Sequence, residues 1–416
     1  MTGAKSVFAY ENRMVGIMMF GFGFVMLFRF AVPNMAPFIM EDLNMNNTQL
    51  GLIMSVFSFS WAFSGVAGGS LSDRVSKKKI LLTVCVLAAA VFSFLTGFAQ
   101  TFIMLLIIRF VLGLFSGPVF PIAQLFCMAQ SSLKRRGLNM GLIGATSVGL
   151  IGNLIGPVAL IAICQLLGWR MTFNLTLIPG VIAAWLIFQF LKEPVLAGPG
   201  GGETSAQKHS LKESLVILKN RNIQTSLVFS VFIIIWNVGT LTFAPVYLVS
   251  VRGFSPTEMS YMMALQGLGT IVWGMLTPAL SDRIGRKPVL VFFSLLGFLS
   301  ATGLLFAPSF LTIGILVFIG SSAVGAFGIY QSAIAGESVD MKYYSFAVGS
   351  ISMTGELIGG FVGLMVAGVL ADAYGLHAAL IFAGLGAVGA GLVALRYYET
   401  APLVLAKRAA SAQGKK

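Results

Sequence analysis

Three ionisable residues stand deep inside long apolar runs: Arg29, Arg109 and Glu356. On insertion scales each costs about 2.5–3.5 kcal/mol at the centre of a membrane-spanning helix, so each implies a partner or a task. Together they carry a net +1. A positive surplus in an apolar setting favours an anion. Guanidinium suits carboxylate or phosphate because its fork donates two parallel hydrogen bonds. Arg29 shares a helical face with Phe22, Met26 and Pro33, with Pro37 two turns away. It reads as the main anchor of an anionic substrate, or as an interhelical arginine satisfied by carbonyls. Arg109 reads as a packing or coupling residue, or as a direct substrate contact. Glu356 shares its face with Gly349, Ser352, Gly359, Gly360 and Gly363. It reads as a proton-coupling carboxylate, a substrate contact or half of a structural ion pair.

The second half supplies further polar candidates. Asn237, Gln266, Tyr330 and Gln331 lie within apolar runs. Gln266, Thr270 and Trp273 share one face at i, i+4 and i+7. Each candidate reads either as a substrate contact or as interhelical bonding and core packing. Asn237 and Gln266 carry the substrate reading best, because amides at mid-span need partners.

The elements that position these residues follow from composition. The chain has 416 residues, 57% hydrophobic and 10% charged. Average soluble domains run at about 45–50% apolar and about 25% charged. So little charge cannot cover a soluble enzyme, and 35 Phe among apolar runs exclude disorder. Three scattered cysteines, Cys85, Cys127 and Cys164, give neither a disulfide framework nor a metal spacing. No paired carboxylates or metal-ligand cluster suggest catalysis, and no cofactor is expected.

Runs of about 20 apolar residues are long enough to cross a bilayer as helices. Twelve spans are predicted, at about 14–40, 49–70, 80–99, 102–128, 138–166, 172–191, 223–250, 258–280, 288–306, 310–333, 345–371 and 376–397. Continuous runs, rather than alternation, exclude a barrel. The first run is too long for a secretory signal and lacks a cleavage pattern. A polar segment at 192–222, with a capping box at Ser210–Glu213 opening a short amphipathic helix, divides six spans (1–191) from six (223–416).

Charge placement sets the orientation. With the N-terminus inside, 23 of the 27 Lys and Arg fall on the cytoplasmic side, and the outer loops hold only Arg170 and Arg252. This positive-inside pattern places both termini in the cytoplasm. It also accounts for the net charge of +13 without a nucleic-acid partner.

The halves repeat. Ala36-Pro37 recurs at Ala244-Pro245, Ser72-Asp73-Arg74 at Ser281-Asp282-Arg283, and Gly152-Asn153-Leu154-Ile155-Gly156 at Gly355-Glu356-Leu357-Ile358-Gly359. Offsets of 208, 209 and 203 argue for duplication. Asn237 then occupies the repeat position of Arg29, and Asn153 that of Glu356. Two six-helix repeats facing each other across a central site is the logic of alternating-access transporters.

These residues resemble the major facilitator superfamily. Gly69-Ser-Leu-Ser-Asp73-Arg74-Val-Ser-Lys77-Lys78 is similar to its G-x-L-x-D-R-x-G-R-K loop motif, with Ser76 and Lys77 in place of the usual Gly and Arg. Pro278-Ala-Leu-Ser-Asp282-Arg283-Ile-Gly285-Arg286-Lys287 is the second copy. Arg109-Phe-Val-Leu-Gly113-Leu-Phe-Ser-Gly117 is similar to the family's R-x-x-x-G-x-x-x-G, and Gly168-Trp169-Arg170 fits as well. The resemblance implies an all-α integral membrane fold of twelve transmembrane helices in two pseudo-symmetric six-helix bundles. It also implies a cytoplasmic gate, in which Asp73, Arg74, Asp282 and Arg283 hold that side shut in the outward-facing state.

Within the superfamily the chain looks most like the anion:cation symporters, on the strength of Arg29, Arg109 and the linker helix. Phe28 and Ser116 stand where some sugar-acid carriers have Asp and Glu, so the proton carrier of those positions is absent here, and Glu356 is the candidate for that role. The expected function is symport of a small organic anion with protons across the inner (plasma) membrane, by a functional monomer in the lipid bilayer. An organic-anion antiporter is the nearest alternative. A non-transporting receptor is more remote, since the tails are short.

Overall fold

The computed structural model describes the backbone of residues 2–74, 77–132, 135–194, 215–340 and 343–413, and among these no strand occurs. Side chains at 2–9, 67–74, 215, 345, 407–409 and 412–413 lie outside the described set. So do the Ser210–Glu213 capping box and most of the linker helix. The described linker end, Leu215–Lys219, is a short 3-10 turn.

Eleven described helices are long and apolar enough to cross a membrane. The fifth, Arg136–Phe190, runs for 55 residues and contains the expected spans 5 and 6. Gly168 divides it, with φ 79° and ψ 160°. Side chains rarely adopt that conformation, so glycine makes the corner. Gly375 turns the chain between spans 11 and 12 with φ 90° and ψ 161°. The described residues therefore hold twelve spans, and a glycine corner joins the last two of each half.

Other joints repeat too. Span 2 opens on a reciprocal cap, with the Asn46 N–H donating to Gln49 Oε1 at 3.0 Å and the Gln49 N–H to Asn46 Oδ1 at 2.9 Å. Span 8 opens the same way: the Ser255 N–H donates to Glu258 Oε2 at 2.9 Å and the Glu258 N–H to Ser255 Oγ at 3.2 Å. Each box satisfies backbone donors that a helix start leaves orphaned.

The described chain forms two compact units: Met1–Glu203 with Leu241–Leu268, and Thr204–Thr240 with Gly269–Lys416. In the first, spans 2 and 4 meet closely. A Cβ on Gly113 would lie 2.8 Å from the Phe57 carbonyl, and one on Gly117 2.5 Å from the Trp61 carbonyl. The glycines of the R-x-x-x-G-x-x-x-G motif thus set how near the Arg109 helix approaches its neighbour. In the second unit, Gly359 lies against Val231 and Ile234 of span 7.

Spans 5, 10 and 11 contain π-helical stretches at Leu142–Thr146, Val148–Ile155, Gly328–Ala333 and Gly355–Val362. Such stretches are rare and often mark functional positions. Asn153, Tyr330, Gln331 and Glu356 all fall on them.

Candidate functional site

Arg29 lies in a box of aromatic rings in the first unit and is 6% exposed. Its guanidinium carbon sits 5.2 Å from the Trp61 ring centroid, 5.3 Å from Phe57 and 5.9 Å from Phe30. Its Nη2 donates a long hydrogen bond to Ser58 Oγ, 3.4 Å. Ring faces stabilise a cation without neutralising it. A charge held this way keeps its attraction for an anion.

Arg109 is fully buried. Its Nη1 donates to the Phe28 carbonyl at 2.8 Å and its Nη2 to the Arg29 carbonyl at 2.7 Å. The guanidinium thus grips the backbone of the Arg29 helix. Phe57 lies against both cations, with its centroid 4.8 Å from the Arg109 guanidinium carbon.

Asn153 and Gln266 are both buried, and both belong to the first unit. A Cβ on Gly267 would lie 2.5 Å from the Asn153 carbonyl oxygen, so spans 5 and 8 touch there backbone to backbone.

The second unit gathers Tyr330, Gln331, Ser352 and Glu356. The Gln331 amide donates to Ser352 Oγ, which donates to the Val348 carbonyl at 2.9 Å. Glu356 stands one turn beyond Ser352, half-buried, and within electrostatic reach of Tyr330. The Tyr330 ring packs on Phe229 and Phe327 with centroids 5.0 and 5.6 Å away. That makes it as much a core residue as a site residue. Asn237 is half-buried in the same unit.

Of the expected gate, the side chains of Asp73 and Arg74 lie outside the described residues. Asp282 pairs with Arg286 of its own loop at 2.6 Å, and Arg283 is exposed. Arg286 also donates to both Glu337 oxygens, Nη2 at 2.8 Å and Nε at 3.3 Å, and to Ser281 Oγ at 2.6 Å.

Sequence reasoning missed the carboxylates that cap spans 3 and 9. Glu193 accepts the backbone N–H groups of Lys78 and Lys79, and Glu399 those of Arg286 and Lys287. The signal was present: a Glu follows the last span of each half. Glu11 was missed as well. It is buried and accepts Asn139 Nδ2 at 2.7 Å and Ser132 Oγ at 3.2 Å. The Gly168-Trp169-Arg170 motif binds Asp42, with Trp169 Nε1 donating at 3.2 Å and Arg170 forming an ion pair. A cavity of about 460 Å³ opens beside it, lined by Phe38, Glu41, Asp42 and Leu167 to Arg170. Among the described residues no group of three His, Cys, Asp or Glu could hold a metal ion.

The Major Facilitator Superfamily profile matches residues 18–362 and 252–415. The chain belongs to the Major Facilitator Superfamily. Solved members share its fold. A bacterial homologue of the human lysosomal transporter Spinster, in an inward-facing and unoccupied conformation, superposes with TM-score 0.76 at 16% identity, over 93% of this chain and 98% of that one. The nucleoside transporter NupG, as a D323A mutant, gives TM-score 0.76 at 14% identity over 93% and 100%.

Curated relatives include a probable sulfoacetate transporter of Cupriavidus necator, 26% identical over 67% of this chain and 66% of that protein. A hexuronate transporter of Bacillus subtilis is 31% identical over 63% of each. The chain thus spans just under two thirds of the length of these two. An MFS-type transporter of Methanocaldococcus jannaschii is 24% identical over 90% and 94%. This major facilitator protein is a multi-pass membrane protein. Its resemblance to the organic-anion branch accords with these relatives.

Proposed function

We propose that the protein carries a small organic anion of the carboxylate or sulfonate type across the plasma membrane, in symport with protons, by alternating access. The buried, ring-boxed guanidinium of Arg29 carries the reading. Its fork can give an anionic group two parallel, charge-assisted hydrogen bonds. Relatives named for sulfoacetate and hexuronate point to the same class.

Arg29 anchors the anion, and Asn237, Gln266, Tyr330 and Gln331 shape the remainder of the site. Glu356 takes up a proton from outside and gives it up inside. Arg109 and Asn153, the uncharged counterpart of Glu356, serve coupling or packing. The Asp73-Arg74 and Asp282-Arg283 loops close the cytoplasmic side in the outward-facing state, with both termini cytoplasmic and one chain sufficient for transport.

The test is uptake of D-glucuronate and sulfoacetate into proteoliposomes with an imposed inward proton gradient, preceded by a thermal-shift screen against organic acids. Symport requires accumulation driven by that gradient. Counterflow of one anion for another with no accumulation under the gradient would make the protein an antiporter instead.

A further inference from the structure

Pro33 lies inside the first helix, and proline has no N–H. In an α-helix the N–H of residue i bonds the carbonyl of residue i−4, so Pro33 leaves the carbonyl of Arg29 without its helical donor. That is the carbonyl that Arg109 Nη2 reaches at 2.7 Å, while Nη1 holds the preceding one, Phe28, at 2.8 Å. A buried carbonyl without a donor is costly. A buried guanidinium without acceptors is costlier still. Each supplies what the other lacks, across 80 residues of sequence.

The arrangement also fixes direction. Phe57 lies against both guanidiniums, with its ring 4.8 Å from that of Arg109 and 5.3 Å from that of Arg29. Arg109 is bound through the backbone behind Arg29, and the Arg29 side chain is turned to Trp61 and Ser58.

We infer that Arg109 is a positioning residue for Arg29: it replaces the helix bond that Pro33 removes, and so holds the Arg29 guanidinium against Trp61. Arg109 neither touches the transported anion nor carries a proton. The consequence for transport rests on the reading of Arg29 as the anchor, but the contact itself can be tested without any anion.

Trp61 is the reporter. Its emission is isolated as the difference between each protein and the same protein with Trp61→Phe. Arg29→Ala should change the Trp61 emission, because it removes the cation from the ring. Arg109→Met should change it in the same direction while Arg29 is still present. Adding Pro33→Ala to Arg109→Met restores an N–H to the Arg29 carbonyl, and should return the emission towards the wild-type value. Arg109→Gln is read in parallel, so that the comparison survives if Arg109→Met does not fold.

Unchanged emission in Arg29→Ala, or in both Arg109 variants, overturns the inference. So does a change that Pro33→Ala fails to reverse, since a general packing role would give no such specific rescue. Anion binding by Arg29→Ala is a separate measurement. Its persistence would sink the anchor reading and leave the positioning of Arg29 intact.

Discussion

The carboxylate of Glu399 accepts the backbone N–H of Arg286 at 2.8 Å and that of Lys287 at 3.3 Å. A residue just past the last span therefore caps the helix that opens span 9. The same oxygen that holds Arg286 also accepts the N–H groups of Thr400 and Ala401 at 3.1 and 2.9 Å. Glu193 repeats the cap on Lys78 and Lys79 in the other half. A negative charge there meets orphan donors and the positive end of the helix dipole together.

Removing either cap should destabilise its own unit. Glu399→Ala and Glu193→Ala are each expected to cost about 1–2 kcal/mol, the usual value of a helix-start acceptor. Thermal unfolding in detergent should show a lowered Tm for both, with the double variant lower than either.

The ion pairs around Arg286 should be unequal. Arg286 is 6% exposed, whereas the Asp282 side chain is 56% exposed. Glu337→Gln removes the charge from the two-pronged, partly buried pair and should cost about 1.5–3 kcal/mol. Asp282→Asn should cost no more than about 1 kcal/mol, since solvent screens its pair. The same unfolding assay ranks the two.

Arg29→Lys keeps the charge and loses the fork. Losing charge-assisted hydrogen bonds worth about 1.5–3 kcal/mol raises KM roughly 10- to 150-fold. Uptake of radiolabelled anion in proteoliposomes should show that rise, with Arg29→Ala weaker again.

Glu356→Gln keeps the shape of the side chain and removes its titration. It should abolish anion accumulation driven by a pH gradient while preserving counterflow at zero gradient. Full gradient-driven uptake by this variant would remove Glu356 from proton coupling.

Gly117→Val should fail more severely than surface changes nearby. A Cβ there would lie 2.5 Å from the Trp61 carbonyl, a backbone atom that cannot swing aside. Overpacking typically costs about 1–3 kcal/mol. Separating spans 2 and 4 would also displace Phe57 and Trp61 from Arg29, so transport should fall along with Tm.

The spans and the repeat were legible because hydropathy and paired motifs are properties of consecutive residues. The fifth and sixth spans were read as two, and Gly168 is why they remain two although helix runs up to it on both sides. Arg29 was legible as an anomaly of charge in an apolar run. Its ring box was not, because Phe57 and Trp61 come from another span and looked like ordinary apolar filling. The contact of Arg109 with the Phe28 and Arg29 carbonyls was hidden for the same reason, although Pro33 marked a carbonyl that no proline N–H can serve. The π-helical stretches under Asn153 and Glu356 left no mark in composition, since they depend on hydrogen-bond register.

The corners at Gly168 and Gly375 bear on how the helices can move. Helix resumes directly after each of these glycines, leaving no polar loop between the two spans it joins. A connection this short has no slack, so it holds spans 5 and 6, and likewise 11 and 12, as antiparallel neighbours. The last two helices of each half are tied at the ends the glycine joins, and neither can shift along its axis without carrying the other.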